Sequence, residues 1–401
     1  MLKTISALFS SPRELKLFAL ASFSLGVGFS IFDSIFNNFL NDKYMITGWQ
    51  RSFLEFPREL PGFLVVFVSA ALWFLCSRRI GALSMLLSFC GVILIGFFAP
   101  SYFIMTLFLF VYSLGQHMFM PVAQTIGMEL ATAGNTGKRL GQLNSIRNAA
   151  TILGSFLVFF SFKYLGFTFS HSFILVALFL GIATLLLYKL TPEPVKEKRS
   201  FLQLRKEYNL YYILSLLAGS RKQLFITFAP WVIVTIFKQP TQTLATLLTI
   251  GGVIGVVFQP MLGKLIDRKG ERFVLATESV LLMLVCLGYG FSKSVLPEPI
   301  AFLAICIFYL ADQMLFSVSM ARSMYIKKIA ITDADVQPTL AAGVTIDHIF
   351  SILVALLGGW VWNTYGFQYV FLIGVVIAAL NFAFALQVKV PQKPAPIRLS
   401  S

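Results

Sequence analysis

Between clusters of charge, glycine and proline, this sequence repeats long apolar runs, near 14–41, 50–77, 80–99, 101–128, 139–163, 168–190, 208–237, 241–262, 273–291, 298–325, 339–361 and 366–388. About 20 apolar residues in helical form cross the hydrocarbon core of a bilayer, so a chain with twelve such runs is built for the membrane. With 401 residues, 57% hydrophobic, 12% charged and a mean hydropathy of +0.81, no sizeable soluble domain fits between them. The alternating segments of an outer-membrane barrel are missing from the sequence. The expected fold class is all-α integral membrane, with twelve transmembrane helices.

The formal net charge of +15 would suggest nucleic acid in a soluble protein. Here the basic residues sort by side of the membrane. With the N-terminus inside, Lys3, Arg13, Lys16, Arg78, Arg79, Lys138, Arg139 and Lys189 share one side with the basic centre, the 263–272 loop and the C-terminal tail. Lys43, Lys163, Lys238 and Lys293 alone fall opposite. The charge therefore reads as topology: both termini are cytoplasmic, a bacterial inner membrane is the expected location, and no nucleic-acid partner is expected. The connection "TPEPVKEKRSFLQLRKEY" at 191–208 is polar and central. It divides the chain into an N-terminal six-helix bundle (1–190), a cytoplasmic linker (191–207) and a C-terminal six-helix bundle (208–401).

Cys76, Cys90, Cys286 and Cys306 form no metal-ligand spacing, and no His-x-x-x-His, phosphate loop or Ser/His/Asp cluster is present. Enzymatic activity, a cofactor and a metal site are accordingly not expected. The two halves resemble each other. "YSLGQHMF" at 112–119 aligns with "YLADQMLF" at 309–316, setting Tyr112 on Tyr309 and Gln116 on Gln313; "SIRN" at 145–148 aligns with "TIDH" at 345–348, and Gly166 with Gly366.

Two six-helix repeats with a basic central loop resemble the major facilitator superfamily, and the resemblance covers essentially the whole chain. Its most specific motif is "GKLIDRKGER" at 263–272, where Gly263, Asp267, Arg268, Gly270 and Arg272 match the family's loop motif and Glu271 departs from it. The first-half counterpart, "WFLCSRRIGAL" at 73–83, has Ser77 in place of the acid. The fifth span also lacks the Gly/Pro pattern of drug-proton antiporters. The resemblance implies a major facilitator fold, with the third and sixth helices of each half outside and the others around a central cavity.

The interior charges agree with that arrangement. They fall on span 1 (Asp33), span 2 (Glu55, Arg58, Glu59), span 5 (Arg147), span 7 (Arg221, Lys222), span 10 (Asp312) and span 11 (Asp347), while spans 3, 6 and 12 have none and span 9 has only Glu278, near its cytoplasmic start. Charges at bilayer depth need partners or water. Arg221, Lys222, Gln116, His117, Asp312, Gln313 and Arg58 are candidate substrate ligands. Adjacent helical residues point about 100° apart, so one of Arg221 and Lys222 faces the ligand and the other pairs with Asp312 or a neighbouring helix. Gly219, Ser220 and Pro230 would permit a break there. His117 alone reads first as a packing residue and second as a proton carrier.

Asp33, Glu55 and Glu59 are candidates for proton coupling, with Glu55 and Glu59 read as a carboxylate pair sharing a proton beside Arg58. The blander reading is a self-satisfied ladder from Arg51 to Glu59. Arg147 and Asp347, equivalent in the two repeats, are expected to act as a gate, meeting across the pseudo-two-fold axis when the transporter faces outward and parting when it faces inward; the blander reading pairs each within its own half. Gly263, Asp267, Arg268, Gly270 and Arg272 are expected to act with Arg322 in gating, Arg322 being the partner of Asp267. The expected function is secondary active transport of a small solute, an organic anion or zwitterion being favoured, coupled to protons and performed by a monomer. Two alternatives stay open: efflux of drugs or amphipathic solutes, and a receptor of the same fold without transport.

Overall fold

The computed structural model describes residues 12–72, 74–131, 136–192 and 204–390, all helix and short connection. Both ends and most of the central linker, with Lys3, Lys196, Lys198 and Arg199, lie outside the described residues. The first half comprises α1 (Arg13–Tyr44), α2 (Gly48–Phe53 continuing as Glu55–Ala71), α3 (Ser77–Phe97), α4 (Tyr102–Glu129), α5 (Thr136–Tyr164) and α6 (Phe169–Tyr188). In the second, α7 is Asn209–Trp231, and the helix Thr241–Val295 is broken at Gly270 into two limbs, α8 and α9. There follow α10 (Glu298–Leu315, extended through a tight turn into Ser319–Ile329), α11 (Asp333–Tyr365) and α12 (Phe367–Ala385). Among the described residues, ten segments are long and apolar enough to span a bilayer. The two outside that set are α2 and α7, which carry the charged constellations.

Local chemistry accounts for the boundaries. Thr47 opens α2 with a reciprocal cap: its hydroxyl accepts from the Gln50 amide at 3.2 Å, and the Gln50 side chain accepts from the Thr47 amide at 2.9 Å. The Gly270 φ/ψ of 82° and 165° is open only to glycine, so the loop motif turns where the sequence predicts. Gly263 sits in ordinary helix. Gly166 and Gly366 both have positive φ, 65° and 107°, at the equivalent turns α5–α6 and α11–α12. The helix α7 runs unbroken through Gly219 and Ser220. It loosens only after Pro230, into a π-helical turn at Val232–Ile236.

The first half has one apolar core, reaching from Leu15 to Leu190. The second has two, one built around Phe228, Tyr289 and Phe371 and one nearer the termini around Tyr208, Ile266 and Tyr325. Large apolar side chains such as Ile174, Leu178, Leu185, Leu284 and Val376 are exposed on α6, α9 and α12, as lipid-facing surfaces require. The halves meet along α2 against α11 and α5 against α8. On the side away from the termini they are sealed: Gly48 lies flat against the Trp362 indole and Gly359 against Ser52, with no space for a β-carbon at either. There Asn38 Nδ2 also donates to the Gln239 carbonyl at 3.1 Å.

Candidate functional site between the two halves

The neighbours Arg221 and Lys222 part company at mid-depth of α7. Arg221 points into its own bundle, 4% exposed, 3.2 Å from Asp312 on α10 and stacked over the Phe316 ring at 4.8 Å. A cavity of about 10 Å³ lies beside it, lined also by Glu278 and Asn381. Lys222 turns the other way and meets Asp347 of α11 at 2.6 Å; the two are 28% and 20% exposed. Gly219, one turn back on α7, leaves room for the Asp347 carboxylate. Ser351 also donates to that carboxylate at 3.1 Å.

Opposite, between positions 21 and 41 of α1, Asp33 is the single exposed residue in a stretch otherwise buried or half-buried. A charged side chain at that depth is expected to face the bundle interior or a polar space between helices, not lipid. Its charge acts on Arg58 and Tyr112 of its own half and on Tyr309 of the other. Tyr112 accepts from Gln116 at 3.2 Å, and Tyr309 and Gln313 stand at the equivalent positions of the other half. The repeat thus sets the same Tyr/Gln pair in both halves.

Along α2, Arg51 Nη1 lies 2.5 Å from Glu55, its Nε donates to Asn37 at 3.0 Å, and Arg58 stands 3.6 Å from Glu55 on the other side. Gln223 of α7 completes Glu55 from across the interface at 2.9 Å. Glu59 does not join this group. Its Oε2 lies 2.7 Å from Nδ1 of His348 on α11, and the His348 ring packs edge-on against His117 of α4 at 4.9 Å between centroids.

Three sequence expectations are corrected. Glu55 and Glu59 are not a proton-sharing pair, because two cations hold one and a histidine the other. Arg147 and Asp347 stand apart here, as the expected gate does in one of its two states: Lys222 takes Asp347, while Arg147 is exposed with no ion pair to a described residue. Arg322 pairs with Glu278 at 3.3 Å instead of Asp267, which is exposed, as is Arg268. Asp312 does not line the cavity, being 3% exposed inside its bundle. Glu271, the departure from the loop motif, is buried and lies 2.5 Å from Lys328 at the end of α10. His348 was missed altogether. It stood in the sequence as the counterpart of Asn148, next to the candidate Asp347, and that position was the available signal.

A pseudo-symmetric pair of six-helix bundles with ionisable groups at mid-depth defines a secondary-transporter architecture. Residues 18–326 match the family model described as Major Facilitator Superfamily, and the chain belongs to that family. No curated protein matches it by sequence. Among solved structures, it is similar to the nucleoside transporter NupG, at 14% identity and TM-score 0.72 over 94% of this chain and 98% of that one. It is likewise similar to a D-xylose-proton symporter (15%, 0.70, 94% and 97%) and to a peptide transporter, POT, in complex with sulfate (12%, 0.68, 94% and 95%). Identities this low carry the fold alone.

Proposed function

We propose that this protein moves a small polar solute across the membrane by alternating access, with Lys222 as the cationic ligand and proton coupling at Asp33 and the Lys222–Asp347 pair. The observation that carries the reading is the divergence of Arg221 and Lys222. The arginine is spent inside its bundle, whereas the lysine stands partly exposed between the halves, held by a carboxylate that a substrate anion can displace. An organic anion or zwitterion suits that exchange, since it offers Lys222 a replacement for Asp347 and leaves Asp347 free to take a proton.

The sealed contacts at Trp362 and Gln239 make this a conformation closed on the side away from the termini. With both termini cytoplasmic, in a bacterial inner membrane, the cavity then opens inward. The chain works as a monomer, the interface that matters lying between its own halves. Proteoliposome uptake under an imposed proton gradient, across a panel of organic anions, zwitterions, nucleosides, sugars and amphipathic drugs, tests the reading. Lys222→Gln should cut uptake about tenfold or more, equivalent to about 1.4 kcal/mol of lost binding. Drug efflux with no anion or zwitterion uptake would overturn the substrate class, and solute binding with no flux would overturn transport itself.

A further inference from the structure

The interface between the halves contains a second constellation that the transport reading does not use. Glu59 from α2, His117 from α4 and His348 from α11 each offer a ligand atom, all within 4.8 Å of one another, and all three residues are more than nine-tenths buried. Two histidines and a carboxylate are a donor set suited to borderline divalent ions such as Zn²⁺ and Co²⁺.

The surroundings fit that use. His117 Nδ1 lies 2.9 Å from the Ser113 carbonyl oxygen, which can only accept, so Nδ1 carries the proton and Nε2 keeps its lone pair. Metal-bound histidines are commonly oriented by this kind of bond from the other ring nitrogen to a carbonyl. Gly62, one turn beyond Glu59, makes room for the rings: a β-carbon there would come within 2.8 Å of His348 and 2.9 Å of His117. The nearest cation is Arg58, whose field reaches Glu59 and His117 but which also faces Glu55 at 3.6 Å. One carboxylate with two imidazoles binding as neutral ligands would supply a net negative charge to the ion.

We propose that Glu59, His117 and His348 form a binding site for a divalent first-row transition-metal ion of the zinc type, which clamps the two bundles together. Zinc–nitrogen distances of about 2.0–2.1 Å require donor atoms roughly 3.3 Å apart, so an ion bound by these atoms opens the 2.7 Å Glu59–His348 contact slightly and replaces it with bonds from both side chains to one centre. Since two ligands belong to the first half and one to the second, sharing one ion holds the halves in this closed arrangement. The site does not depend on which solute is carried or on proton coupling.

The test is metal titration of the purified full chain, freed of any histidine tag. Co²⁺ should produce visible ligand-field bands saturating at one ion per chain, Zn²⁺ should abolish them by displacement, and Zn²⁺ should raise the thermal unfolding midpoint. His348→Ala and His117→Gln should each weaken Zn²⁺ binding about 100-fold or more, while Lys222→Gln should leave it unchanged. No stoichiometric Co²⁺ spectrum in the wild-type chain would overturn the proposal without recourse to any variant. Binding that persists at full strength in both folded histidine variants would overturn it equally. Metal binding by a wild-type chain that shows no solute transport would support the site and count against the transport reading alone.

Discussion

The first half packs one continuous apolar core, whereas a layer containing Arg221, Glu278, Asp312 and Asn381 separates the two cores of the second. The first half carries its membrane-depth charge mainly on α2, aimed at the partner half, where Gln223 and His348 meet it. The second half turns much of its charge inward. Equal hydropathy profiles can therefore hide different uses of charge: across the interface it can couple the halves, and inside a bundle it fixes how that bundle's helices pack.

The sharpest way to break this comparison is Arg221→Ala. Removing one partner of a buried pair leaves Asp312 uncompensated, and a loss of about 3–5 kcal/mol is expected, read as a collapse of the thermal unfolding midpoint in detergent. The double variant Arg221→Met/Asp312→Leu should regain most of it, because an apolar replacement of similar volume removes both desolvation costs. If the single variant is as stable as wild type, the polar layer does not hold the bundle. Next in size is Gln223→Leu, which strips Glu55 of its partner from the other half and should cost about 1.5–3 kcal/mol, with faster exchange of α2 amides. Unchanged exchange would place the coupling elsewhere along α2 and α11.

Gly270→Ala forces a β-carbon into a backbone region reserved for glycine and should cost about 1–3 kcal/mol, measurable by thermal unfolding. Its effect should be confined to the second half, since the first-half turn at Ser77 has no such glycine. The smallest effect concerns Asp335 at the start of α11, held by Arg205 at 3.1 Å and by the Tyr208 hydroxyl at 2.9 Å. Burial works against its charge, but bonds from Tyr208 and Thr332 and the Arg205 guanidinium keep its carboxyl below the usual range. Its contribution is thus complete above the unfolded value of about 3.9 and fades as pH falls through the lower folded value. Tyr208→Phe should narrow that acid window in an unfolding-versus-pH series.

Much of the fold was legible in the sequence because it depends on local pattern. The span boundaries follow apolar length, and Gly270, Gly166 and Gly366 turn the chain where the loop motif and the repeat put them. The Tyr112/Gln116 and Tyr309/Gln313 pairs are also local, one helical turn apart. The site was less legible because its contacts are remote. Lys222 meets Asp347 across 125 residues and His348 meets Glu59 across 289. A rotation of about 100° per residue decides whether a side chain faces the cavity, its own bundle or lipid, and only packed helices fix that angle. The sequence could state that Arg221 and Lys222 must diverge; it could not say which way each turned.

The seal at Gly48, Trp362, Gly359 and Ser52 is made of neutral groups, and the charges of α2 beside it, Arg51 and Arg58 against Glu55 and Glu59, sum to zero. A transmembrane potential acts on a displaced charge by about 2.3 kcal/mol per elementary charge per 100 mV. Opening the seal therefore displaces almost no charge through the field. Sensitivity to membrane voltage should reside instead in Asp33, Lys222 and Asp347, so that current recordings would report on filling and emptying of the cavity while the opening of the seal passes electrically silent.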